Sequence, residues 1–168
     1  MTRWLVMLAL AGALVACGGG GGSTPSATLA TTPTTVRTTT TVSVEAEVEA
    51  AYLKSWDVYT DAVRTVDIAK LPTAYVDKAL QIATDDVNRL RRDGVRAEMR
   101  VEHHYEIHVA SSAPDVAQVI DEYVNHSVLV DAATGEPREP DPNKVLNESY
   151  LLKRTDGQWK VFDIQRAS

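Results

Sequence analysis

From Val95 to Ala110, hydrophobic and polar residues alternate with a period of two. The odd positions are Val95, Ala97, Met99, Val101, His103, Tyr105, Ile107 and Val109, and the even ones from Arg96 to His108 are all charged or titratable. Only His103 breaks the apolar set. Neighbouring side chains on a strand point to opposite faces, so the pattern predicts one long antiparallel-type strand with a covered face and a wet face. Upstream the spacing changes. Val44, Val48, Tyr52, Tyr59, Val63 and Val66 recur at three, four and seven, which predicts an amphipathic helix from about Val44 to Val66. Ser43 suits its N-cap, and Glu45, Glu47 and Glu49 lie in the first turns, where the helix dipole favours negative charge. Ile68 to Val76 reads as a break or a short helix, with Pro72 placed for a first turn. A further helix is expected from about Val76 to Asp93, striped by Val76, Leu80, Ala83, Val87 and Leu90. Arg89, Arg91 and Arg92 near its C-terminus complement the dipole, and Gly94 supplies a left-handed stop.

Downstream the pattern is that of strands. Ser111 to Asp115 is turn chemistry. A second strand is expected from about Val116 to Val130, with Val116, Ile120, Val124, Val128 and Val130 on even positions. Gln118, Glu122 and His126 interrupt that set, which predicts a bulge near the middle. Asp131 to Pro142 reads as a loop. A third strand, about Val145 to Arg154, meets a fourth, Trp159 to Gln165, across an Asp156-Gly157 hairpin turn. Helices followed by antiparallel strands make an α+β domain, spanning residues 44–168.

The element order, and the closing hairpin Tyr150-Leu151-Leu152-Lys153-Arg154-Thr155-Asp156-Gly157-Gln158-Trp159-Lys160-Val161, resemble the NTF2-like superfamily, also called SnoaL-like or ketosteroid-isomerase-like. The resemblance covers about Val44 to Gln165. It implies a curved antiparallel sheet whose concave face holds the N-terminal helices and leaves a conical pocket. The family contains isomerases, cyclases, dehydratases and many non-catalytic members, so fold alone does not assign an activity.

Composition adds a compartment. Two of the 17 basic residues, Arg3 and Arg37, and none of the 23 acidic ones precede Glu45, so the chain from Glu45 onward carries a formal charge of −8. Nucleic acid is excluded as a partner on that ground, since neutralising phosphates requires a basic face. Arg3 followed by the apolar run Trp4 to Ala16 reads as a secretory signal over residues 1–16, too short for a membrane span. Leu14-Val15-Ala16-Cys17 resembles the bacterial lipobox, and Cys17 is the chain's single cysteine. The resemblance implies that Cys17 is lipidated and becomes the mature N-terminus, anchoring the protein in the bilayer on the extracytoplasmic side. Two or more acyl chains hold a protein stably, and no transmembrane helix is then needed. Residues 18–43 are Gly-, Thr-, Ser- and Pro-rich, cannot bury enough surface to order themselves, and read as a tether whose r.m.s. span is about 25–30 Å.

Candidate chemistry is sparse. The pocket-lining candidates are Tyr52, Trp56, His103, Tyr105, Asp121 and Tyr123. A ketosteroid-isomerase-like site requires a pocket carboxylate and an oxyanion donor. No motif of that kind can be placed residue by residue, so no catalytic residue is assigned, and no convergent polar constellation is visible. His104 and His108 share a strand face about 13 Å apart, too far for joint ligation, and His103 faces the other way, so neither a metal nor a cofactor is expected. The reading is therefore a membrane-anchored, non-catalytic domain binding a small apolar ligand or an envelope protein, with homodimerisation through the sheet. The alternatives are an accessory subunit of an envelope complex and an isomerase or dehydratase.

Overall fold

In the computed structural model, residues 42–110, 112–140 and 143–166 are described. The expected signal segment, Cys17 and the expected tether up to residue 41 lie outside them. The described residues belong to one unit, Thr40–Ser168.

Helix α1 (Val44–Thr65) begins where Ser43 Oγ accepts a hydrogen bond from the Ala46 N–H at 3.2 Å. It ends on Val66 in the left-handed region, φ 55°. The break after it contains one short 3-10 turn, Leu71–Thr73, with Pro72 inside. Helix α2 (Asp77–Asp93) stops at Gly94, φ 67°, whose N–H bonds back to the carbonyls of Leu90 and Arg91. Only glycine takes that conformation without strain.

The expected first strand divides into β1 (Val95–Glu98) and β2 (Val101–Val109), and the second into β3 (Val116–Asn125) and β4 (Val128–Asp131). The two breaks face each other. His126 N–H donates to the Arg100 carbonyl at 2.8 Å, and Arg100 N–H donates to Ser127 Oγ at 3.1 Å, a side chain standing in for the ladder. The hairpin thus passes from one sheet to another. One sheet is β2-β3-β6-β7, with β6 (Lys144–Thr155) and β7 (Gln158–Arg166); the other is β1-β4-β5, with β5 (Pro137–Pro140). Every pair is antiparallel. The segment Asp131 to Pro142, expected to be a loop, therefore contains a strand.

The bulge expected near the middle of the second strand is not there: β3 pairs with β2 and with β6 without a register shift, and the irregularity lies at the strand's end, between Val128 and Val130, where β4 pairs with β5. Residues directly opposite on paired strands share a face. His103 lies opposite Tyr123 and Tyr105 opposite Asp121, so the inward parity of β2 makes the odd residues of β3 inward too. Ala117, Val119, Asp121 and Tyr123 are buried, while Val116 and Ile120 stand outside at 40% and 41% exposure. Within β3 the even apolar residues mark the outer face, whereas Val130 of the same set, in β4, is buried.

Helix α1 contacts β1 of one sheet and β2, β6 and β7 of the other, and α2 packs on β7, β1 and α1. The core joins Val48, Tyr52 and Val63 of α1 to Val87 of α2 and to Val119, Leu152 and Val161 of the main sheet. The arrangement of two helices against antiparallel sheets is what the NTF2-like resemblance implies. The closing hairpin turns on Asp156 and Gly157, both with positive φ, as a two-residue turn requires. Its Arg154 pairs with Glu47 at 2.7 Å and stacks over Trp159, tying the start of α1 to the hairpin. The bonds from Arg154 and Trp159 hold the Glu47 carboxyl below the usual range.

Asp131 closes β4. Its Oδ1 accepts from the N–H groups of Ala133 and Thr134, and its Oδ2 from Arg138 at 2.6 Å. The Arg138 bond, then those two backbone donors, bring its pKa down to about 2. An unfolded aspartate titrates near ~3.9, so this contribution is complete above that pH and is lost as pH falls through about 2. Asp131→Asn is expected to melt below the native chain at pH 6 and to converge with it at pH 2, as followed by circular dichroism.

Candidate functional site

Alternation along β2, β3 and β6 brings two polar groups to the inner face of the main sheet. The first is centred on Asp121, which has no exposed surface. Its Oδ2 accepts from the Tyr52 hydroxyl at 2.6 Å and lies 2.6 Å from His103 Nδ1; its Oδ1 accepts from the His104 N–H at 2.9 Å. Trp56 Nε1 donates to the Tyr52 hydroxyl oxygen at 2.8 Å, completing a chain Trp56–Tyr52–Asp121. Tyr105 lies beside this group, its hydroxyl donating to Glu49 at 2.7 Å and its ring 5.3 Å from that of Tyr52. Burial, then the bond to Asp121, pushes the Tyr52 hydroxyl far above its ordinary pKa. Tyr52 therefore stays protonated and acts as a donor.

The second group is centred on Glu148, 6% exposed. Arg166 donates to Glu148 Oε1 through Nε at 2.8 Å and through a terminal nitrogen at 2.7 Å. The Tyr150 hydroxyl donates to Oε2 at 2.7 Å. Burial, with the Glu148 charge alongside, raises both Tyr150 and Tyr123.

A cavity of about 700 Å³ opens beside this second group, between α1, α2 and the two sheets. Trp56, Leu146, Met99, Leu129, Ile82 and Ile164 give it apolar walls. Glu148, Tyr123, Tyr150 and Arg166 stand on one side of its lining, and Asp86 and Arg89 of α2 on another. Of the six residues singled out in the sequence, Trp56 and Tyr123 line this cavity. Tyr52, His103, Tyr105 and Asp121 lie outside the lining; Tyr52, His103 and Asp121 form the neighbouring hydrogen-bonded group, and Tyr105 packs beside it. Trp56 joins the two, its ring 4.7 Å from His103 and 5.2 Å from Tyr123.

Sequence reasoning missed Glu148, Tyr150, Asp86 and the placement of Arg89 and Arg166. One signal was present: Glu148, Tyr150 and Leu152 share a parity, so an inward Leu152 carries Glu148 inward with it. The expectation that no polar groups converge is corrected, because two carboxylates line the cavity. Among the described residues no three His, Cys, Asp or Glu side chains are grouped to hold a metal ion. Nor, among them, is any helix long and apolar enough to cross a membrane.

An α+β domain with helices laid against antiparallel sheets and a lined cavity between them is thus the class that fold and site define. No family model matches the chain, and no curated protein matches it. Among solved structures, the intermembrane space region of chloroplast protein ARC6 is similar with a TM-score of 0.61 at 17% identity, over 71% of this chain and 93% of that one. That likeness shows a shared fold. Looser similarities include an NTF2-like protein of unknown function from Shewanella oneidensis MR-1, TM-score 0.44 at 8% identity over 71% of this chain and 98% of that one. An NTF2-like protein of unknown function in nutrient uptake from Rhodospirillum rubrum has a TM-score of 0.41 at 19% identity, with the same coverage.

Proposed function

We propose that the chain is a bacterial lipoprotein, held on the extracytoplasmic face of the cell membrane by lipidated Cys17, whose NTF2-like domain is a non-catalytic binding module for a small apolar ligand. The cavity carries this reading. Its volume of about 700 Å³ falls within the range of small-molecule sites, roughly 300–1,000 Å³, and most of its walls are apolar or aromatic. The carboxylates inside it do not favour catalysis. Both oxygens of Glu148 already accept bonds from Arg166 and Tyr150, those of Asp86 accept from Arg89 and Tyr59, and the tyrosine hydroxyls stay protonated, so among the described residues no unbonded carboxylate oxygen faces the space. The exposed outer face of the main sheet, with Val116, Ile120 and Val145 at 40%, 41% and 60%, favours a homodimer formed through that sheet.

Two experiments test the proposal. Metabolic labelling with radioactive palmitate is expected to mark the native chain and not Cys17→Ser; continued labelling of the variant contradicts the anchor. Native mass spectrometry of the protein is expected to show a small-molecule adduct that Leu146→Trp, which fills part of the cavity, loses while keeping its melting transition. Stoichiometric recovery of an envelope protein, with no small-molecule adduct, favours the accessory-subunit reading in its place.

A further inference from the structure

The rim of the cavity narrows the chemistry of its occupant. Two carboxylate–arginine pairs share the cavity lining, one on α2 and one on β6 and β7. On α2, Arg89 donates to Asp86 Oδ1 at 2.8 Å, and the Tyr59 hydroxyl donates to Asp86 Oδ2 at 3.1 Å. On the strands, Arg166 and Tyr150 occupy the two oxygens of Glu148. Each of the four carboxylate oxygens therefore has a donor of its own. Among the described residues the guanidinium groups do not have the matching number of acceptors. Each carries five N–H groups, of which Arg89 spends one on Asp86 and Arg166 spends two on Glu148. Both side chains are largely in solvent, at 63% and 69% exposure. The unspent hydrogen-bonding capacity at the rim is thus mostly that of donors.

The lining does not share the negative charge of the domain. Arg89 and Arg166 match Asp86 and Glu148 in number there, in a domain that is otherwise strongly acidic. The two pairs also feel each other: Asp86 is among the charges that raise Arg166, after Glu148. Behind the rim the walls are apolar, from Trp56 to Leu129.

We infer that the occupant is an amphipathic anion, an apolar ring or chain ending in a carboxylate or a similar acceptor group, with that group seated at the rim between Arg89 and Arg166 and the apolar body against Trp56, Leu146 and Met99. The inference rests on the reading of the cavity as a binding site. It adds the sign of the ligand's charge and the direction in which the ligand enters. A cation meets carboxylates that are already bonded. A neutral body of the same shape fills the walls but leaves the guanidinium donors to water. Charge-assisted hydrogen bonds to a guanidinium are about twice as strong as neutral ones, and bidentate geometry adds to that.

Three probes of one shape separate the claims: 2-naphthoate, 2-naphthylmethanol and 2-naphthylmethylammonium, titrated calorimetrically into the full chain in lipid nanodiscs, with empty nanodiscs as the blank. The expected result is that 2-naphthoate binds about 10-fold tighter than the alcohol, with the ammonium weakest. In Arg166→Gln the preference is expected to shrink to about 2-fold or invert, since Glu148 then lacks its cation. Arg89→Gln, at an exposed site beside a half-exposed aspartate, tests the same preference should Arg166→Gln fail to fold; it is expected to reduce the preference as well. Equal binding of the three probes, or tightest binding of the ammonium, overturns the anion assignment while leaving the cavity as a binding site. Binding of none of them above the blank overturns the assignment and the cavity reading together.

Discussion

Asp121→Ala is expected to lower unfolding stability by about 3–5 kcal/mol, among the largest effects of any single substitution in the domain. Three donors converge on a carboxylate with no exposed surface: the Tyr52 hydroxyl, the His103 ring and the His104 backbone N–H. Truncation leaves all three facing a void that offers no acceptor. The cost is therefore the desolvation of its abandoned partners more than the loss of its own bonds. Tyr52→Phe, which removes one donor and its bond, is expected to cost about 1–2 kcal/mol. The double variant is expected to cost less than the sum by about 1 kcal/mol or more, because the two share one bond. Urea unfolding midpoints measure all three. An Asp121→Ala variant within 1 kcal/mol of the native chain shows that the carboxylate is not the hub of this group.

The second large effect tests the register of the sheet. Leu152→Ala is expected to cost about 3 kcal/mol, the usual cost of emptying a leucine site in a closed core. Leu152 has no exposed surface and lies among core residues from both helices and the main sheet. One position away, Leu151 faces outward opposite Gln118, and Leu151→Ala is expected to cost less than about 1 kcal/mol. A slip of the strand by one residue reverses this order, so the pair of midpoints reads out which face of β6 is covered.

The helices were legible in the sequence because their signals are local. The spacing of Val48, Tyr52 and Val63, the Ser43 cap and the Gly94 stop each act within a few residues of where they are read. The inner face of β2 was legible for the same reason, its alternation being interrupted only at His103. β3 was not. Its inward set includes Asp121 and its outward set includes Val116 and Ile120, so hydropathy assigns the wrong face, and only pairing with β2 corrects it. The division of each long strand into two was hidden as well, since it depends on Ser127 meeting Arg100 across the hairpin. The site suffered most from distance. Glu148 and Arg166 are far apart in the chain from Asp86 and Arg89, and no periodicity in one segment indicates that the four share a rim. Arg89 has a sufficient local explanation at a helix end, and that explanation conceals its second setting.

The crease between the two sheets has a mechanical consequence. Ala97, Met99, Val128 and Leu129 belong to the smaller sheet or to the crease itself, and they form one side of the cavity. That side is joined to the main sheet through two short links, Met99–Arg100 and His126–Ser127. The two links are bonded to each other, and both helices pack on β1, so the angle held at the crease sets how far this side of the cavity stands from the main sheet.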